Sequence, residues 1–141
     1  MKTSSLLASL SVAVLGVGSA QAATLTFTIE NKTTSTITST FPNACSSVIP
    51  ALSSVAANGI SPVHQTDCGN NTAVAFDYTN GTKTCGFNLS SIYTPPNPLL
   101  GTSGYWTPKG TGTSKKGSAV CKATLISLGS NGSYGWALSI Q

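Results

Sequence analysis

The chain reads as a small, disulfide-stapled, all-β domain, either an antiparallel β-sandwich or a compact barrel. Three observations predict this. Several short runs alternate apolar with polar residues, Asn-Gly pairs separate two pairs of those runs, and the four cysteines Cys45, Cys68, Cys85 and Cys121 form an even set. Alternation at period two buries one face of a strand, and Asn-Gly tolerates the positive φ that a tight turn requires.

Taken in order, residues 1–22 have the layout of a secretory signal peptide. Lys2 precedes an uncharged apolar run from Leu6 to Val17, too short for a comfortable membrane span, and Ala20 and Ala22 supply the small residues of a cleavage site before Ala23. Residues 23–141 are then one secreted or extracellular β domain, a location that includes the periplasm and the cell surface. Thr24 to Ile29 alternates Thr outward with Leu25, Phe27 and Ile29 inward. The Thr-rich continuation to Thr40 either extends this strand or returns as a second one around Ile37. Val48 to Ala57 is the one helix candidate, shortened by Pro50. Ile60 to Val63 is read as a brief strand after Asn58-Gly59.

The two hairpins are the clearest architecture. Val74, Phe76 and Tyr78 alternate up to Asn80-Gly81, and Cys85, Phe87 and Leu89 alternate on the return. Near the C-terminus Cys121, Ala123 and Leu125 share a face before Asn131-Gly132. Tyr134, Trp136, Leu138 and Ile140 share a face after it, so Trp136 is expected in the core. Between the hairpins lies Tyr93 to Gly117, rich in Pro and Gly, which is expected to be a long loop.

An oxidising compartment pairs the cysteines. Three pairings are possible; Cys45 with Cys68 and Cys85 with Cys121 is favoured because each closes a modest loop and the second pair sits on two strand-like segments, and the chain-entropy model assigns each pair about 3 to 4 kcal/mol of stabilisation. No C-x-x-C spacing exists and His64 is the only imidazole, so neither a metal nor a cofactor is expected.

Charge is scarce: seven lysines, no arginine and three acidic residues. Without guanidinium forks, this small basic excess gives poor support for nucleic-acid binding. Catalysis is equally under-equipped. His64 adjoins Cys68 without a Gly-x-Ser-x-Gly elbow and is expected to be a solvated loop residue, while Glu30 and Asp77 fall on the outward parity of their strands. The N-x-Ser/Thr sequences at Asn31, Asn70, Asn80, Asn88 and Asn131 do not by themselves indicate glycosylation, since a Ser/Thr/Asn-rich chain produces many by chance.

Ala23 to Asn31 resembles the first strand of thaumatin-like proteins and of some secreted β-sandwich cytolysins. The likeness covers nine residues with a pattern common to strands, and four cysteines are far fewer than thaumatin-like proteins carry. It therefore implies a strand, and no activity or site residue.

Function is expected to lie in the loop from Tyr93 to Gly117. Tyr93, Tyr105 and Trp106 offer flat rings with polar tips, and Lys109 adds a nearby cation, a combination suited to a glycan, a protein or a membrane surface. Tyr105 and Trp106 are equally compatible with closing the end of the core. The leading expectation is a non-enzymatic extracellular binding domain. A membrane-active lytic protein and a structural subunit of a surface layer or filament are the alternatives.

Overall fold

The alternation from Thr24 onward produces β1 (Thr24–Asn31), whose Leu25, Phe27 and Ile29 are buried while its threonines face outward. The structure, a computed structural model, describes residues 23–40, 42–129 and 131–141. The leader read over residues 1–22 lies outside them. Eight further strands follow among the described residues: β2 (Thr38–Ser39), β3 (Asn43–Ala44), β4 (His64–Asp67), β5 (Asn71–Thr79), β6 (Thr84–Thr94), β7 (Tyr105–Lys116), β8 (Cys121–Leu128) and β9 (Tyr134–Ile140).

They form two facing sheets that do not close into a barrel, so the sandwich is the correct alternative. One sheet has the order β4-β1-β9-β8. The other runs β2-β5-β6-β7, with β3 also paired to β5. Every pairing is antiparallel except β1 with β9, which run parallel from Leu25 opposite Tyr134 to Asn31 opposite Ile140. Nothing local in the sequence marks that pairing, which joins the two ends of the domain.

The core lies between the inner faces. Phe27 from one sheet stacks on Phe76 from the other at 5.1 Å, and Phe76 meets Tyr78 and Phe87. Burying each side chain of this size stabilises the fold by about 1.5 to 3 kcal/mol. Trp136, Leu138 and Ile140 complete the layer from β9, as their alternation predicted. The two disulfides form with the predicted pairing, Cys45 to Cys68 and Cys85 to Cys121. Each joins the two sheets, one beside the short strands β3 and β4 and the other between β6 and β8.

A polar hub closes the end beyond β1. Asn31 is fully buried, and its Nδ2 lies within 3.0 Å of the carbonyl oxygens of Ser35, Val55 and Ala56. Its Oδ1 accepts from the backbone N–H and the hydroxyl of Thr33, so every polar group of the amide is satisfied.

Four expectations need correction. Val48 to Ala57 forms no helix. Pro50 interrupts it, and Val48 and Val55 reach the core from an extended path that Ile49 and Val55 pin through single bridges to Gln65 and Ile37. Ile60 to Val63 makes only the bridge Ile60 to Glu30, and the strand begins at His64. His64 is not solvated: its ring is fully buried against Phe27 and its Nδ1 lies 2.7 Å from Pro50 O.

The largest correction concerns Tyr93 to Gly117. Most of it is strand, since β6 runs to Thr94 and β7 occupies Tyr105–Lys116, leaving a loop of residues 95–104. β7 is an edge strand, where a proline is tolerated because one side of the backbone has no partner. Its glycines serve close approach. A Cβ on Gly110 would collide with the Trp136 ring, and one on Gly112 would sit 2.8 Å from the Cys121 carbonyl.

Candidate functional site

The register shows how the four predicted binding residues are distributed. Tyr93 on β6 and Trp106 on β7 are cross-strand partners on the inward face. Their rings lie 5.0 Å apart, and Trp106 covers Gly132, whose φ of 78° and lack of Cβ leave room for it. Ser91 Oγ donates to Gly132 O at 2.6 Å and holds that turn beneath the indole. Tyr93 and Trp106 therefore close one end of the sandwich.

Tyr105 and Lys109 point the other way. Both share the outer face of β7 with Thr107, and Tyr105 is 57% exposed there. The four residues thus form no single cluster: two belong to the closed end and two to an exposed, flat sheet surface.

Beyond them the chain makes a feature the sequence reading passed over. Residues 95–104 form a small hairpin in which Asn97 and Thr102 exchange backbone hydrogen bonds in both directions. The Asn97 side chain accepts from the N–H of Leu99 at 3.0 Å, and Gly101 takes a φ of 65° to turn the chain back. At the tip Leu99 is 96% and Leu100 74% exposed. Ile92 and Tyr105 add exposed apolar surface at the base. The signal was present as Asn-Pro-Leu-Leu-Gly, a turn sequence with leucines where polar residues are usual.

Charge is sorted along the same axis. Lys32, Lys83, Lys115, Lys116 and Lys122 all lie at the opposite end of the sandwich, and Lys109 sits midway along β7. Lys115 pairs with Asp77 across β6, seated over Gly86, and Lys32 pairs with Glu30. At the hairpin end the charged side chain is Asp67, opposite Thr24 at the start of β1.

A hollow of about 390 Å³ beside Ser39, Thr40, Val48 and Leu52 is remote from this end and has no titratable side chain among the lining residues described. A shallower trough of about 150 Å³ lies on the outer face of the first sheet, walled by Val63 and Ile126 over Gly135. The carboxylates are dispersed. Glu30 and Asp67 lie at opposite ends of β1's length, about 20 Å apart at strand rise, and Asp77 is on the outer face of the other sheet. No group of three or more potential metal ligands occurs among the described residues.

Fold and surface together define the class: a small β-sandwich stapled at both sides by disulfides, with an apolar hairpin projecting from one end and lysines gathered at the other. No protein family, curated relative or solved structure matches the chain.

Proposed function

We propose that the chain is a secreted, non-enzymatic binding domain that engages its ligand through the hairpin end of the sandwich. The observation that carries this reading is the exposure of Leu99 and Leu100 on an ordered turn. Two leucines held almost wholly in water are unfavourable for an isolated domain, and burial against a partner recovers that free energy. An ordered loop also loses little conformational entropy on binding. Tyr105 and Ile92 extend the contact, and Lys109 lies at its margin.

The polar chemistry supports binding over catalysis. The sole imidazole is inside the core, Glu30 and Asp67 lie much farther apart than the roughly 5 to 9.5 Å of a glycosidase pair, and Asp77 is on the outer face of the other sheet. Secretion fits the two disulfides.

Photo-crosslinking on producing cells and their medium tests the reading. A diazirine side chain at position 99 is expected to give discrete adducts, and the same probe at exposed Thr124, on the outer face of the other sheet, is expected to give none. Adducts from position 124 alone, or from neither, contradict it. N-terminal sequencing of the exported protein should return Ala23.

A further inference from the structure

We infer that the surface this hairpin engages is the interface of a lipid bilayer, with Leu99 and Leu100 entering the apolar layer; the inference rests on the binding reading above. Exposure of the leucines alone would suit many partners. What distinguishes this tip is its backbone.

Both N–H and C=O groups resist entering hydrocarbon unpaired, so internal satisfaction of the N–H groups removes one of these two costs and leaves the carbonyls to be hydrated at the boundary of a shallow insertion. Residues 95–102 satisfy their N–H groups throughout. Pro95, Pro96 and Pro98 have no N–H. Asn97 and Thr102 donate to each other's carbonyl oxygens, Leu99 donates to Asn97 Oδ1, Leu100 to Asn97 O at 3.2 Å, and Gly101 to Pro98 O at 3.3 Å. No backbone donor in the tip is left for a partner. A protein ligand could pair with the tip's main chain only through carbonyl oxygens such as those of Leu99 and Leu100, whereas a lipid needs no such pairing.

The surroundings agree. The hairpin carries no charged side chain, so insertion costs no ion desolvation. Tyr105 stands at its base with an exposed ring, the kind of group that settles at a membrane–water boundary. The lysines, concentrated at the far end, are held away from the headgroups when the tip points inward. Attachment is thus driven by apolar burial and should be indifferent to anionic lipid, the reverse of a polybasic contact.

The test is flotation of the oxidised protein with vesicles of phosphatidylcholine alone and of phosphatidylcholine and phosphatidylserine in equal parts. The wild type should float with both alike and at any salt concentration. Leu99→Asn with Leu100→Asn should lower partitioning about tenfold per leucine, and so about a hundredfold together, with an unchanged melting temperature. Lys83→Gln with Lys122→Gln should float as the wild type does. Leu99→Trp gives a second readout, a blue-shifted emission gained on phosphatidylcholine vesicles. Binding confined to phosphatidylserine vesicles and lost in the lysine variant overturns the inference in favour of the basic end. No flotation, with protein adducts from the position-99 crosslinker, overturns the lipid assignment and leaves the binding-domain reading standing. No flotation and no adducts ends both.

Discussion

Replacing Gly110 with alanine tests how the two sheets meet. In an ordinary strand the change is mildly favourable, by about 0.5 to 1 kcal/mol, because glycine loses more backbone entropy on folding. Here the new Cβ points at the indole of Trp136, only 2.6 Å from Cε3 and nearer still to Cζ3 and Cη2. Trp136 is 5% exposed and enclosed by the core, so its ring has little room to retreat. Overpacking of this kind costs about 1 to 3 kcal/mol, which outweighs the entropy gain and leaves a net loss of about 1 to 2 kcal/mol. For a domain of this size that corresponds to a fall in melting temperature of about 4 to 8 °C. Thermal melting followed by circular dichroism reads it. A double-mutant cycle with Trp136→Leu isolates the cause: in that background Gly110→Ala should cost nothing or stabilise slightly. An equal loss in both backgrounds would mean that Trp136 does not cover Gly110 and would refute the β6–β7 register.

Three further outcomes follow from the same geometry. Trp106→Ala should lower the melting temperature because the indole covers Gly132 and contacts Tyr93, whereas Tyr105→Ala should leave it nearly unchanged; equal effects would contradict the alternation of β7. Asn31→Ala removes the amide's hydrogen bonds from a buried hub; the carbonyl oxygens keep donors in Thr33 Oγ1, Ile37 N and Gly59 N, but the Thr33 N–H is left without an acceptor, so the change should cost about 2 kcal/mol by denaturant unfolding, with a loss under about 0.5 kcal/mol arguing against the hub. Burial raises the Tyr78 phenol above its ordinary value, only partly offset by a hydrogen bond to Ser39. A raised folded-state value means the associated stability is intact below the unfolded phenol's pKa of about 10 and is lost as pH rises through the folded value. Unfolding curves above pH 10 should therefore weaken more steeply for the wild type than for Tyr78→Phe.

The parts of the fold legible in the sequence are those whose partners are close in the chain. Each hairpin carries its alternation on both strands and its turn residues between them, so β5 with β6 and β8 with β9 could be read directly, whereas the disulfide pairing was a choice among three, favoured for its modest loops. β7 was hidden because its inward positions, Trp106, Pro108, Gly110 and Gly112, show little apolar period. The bulk that fills their space belongs to Trp136 on the opposite sheet, which leaves a strand with the composition of a loop. His64 was misread for a related reason. Its burial depends on Phe27 and on the carbonyl of Pro50, both remote in sequence. At the candidate site, attention to aromatic rings selected Tyr93 and Trp106, which the register turns inward, and passed over Leu99 and Leu100, which only the turn geometry carries into solvent.

The binding proposed for the hairpin depends above all on its being formed before any ligand arrives. Native-state amide exchange over Asn97 to Thr102, followed by NMR on the free oxidised protein, measures that directly. The hydrogen bonds of Asn97, Leu99, Leu100, Gly101 and Thr102 should slow exchange at each amide by about tenfold or more relative to an unstructured chain. Exchange at the unstructured rate across these residues would mean that the leucines sit on a mobile loop, and would contradict the account of a preformed tip whose N–H groups are satisfied internally.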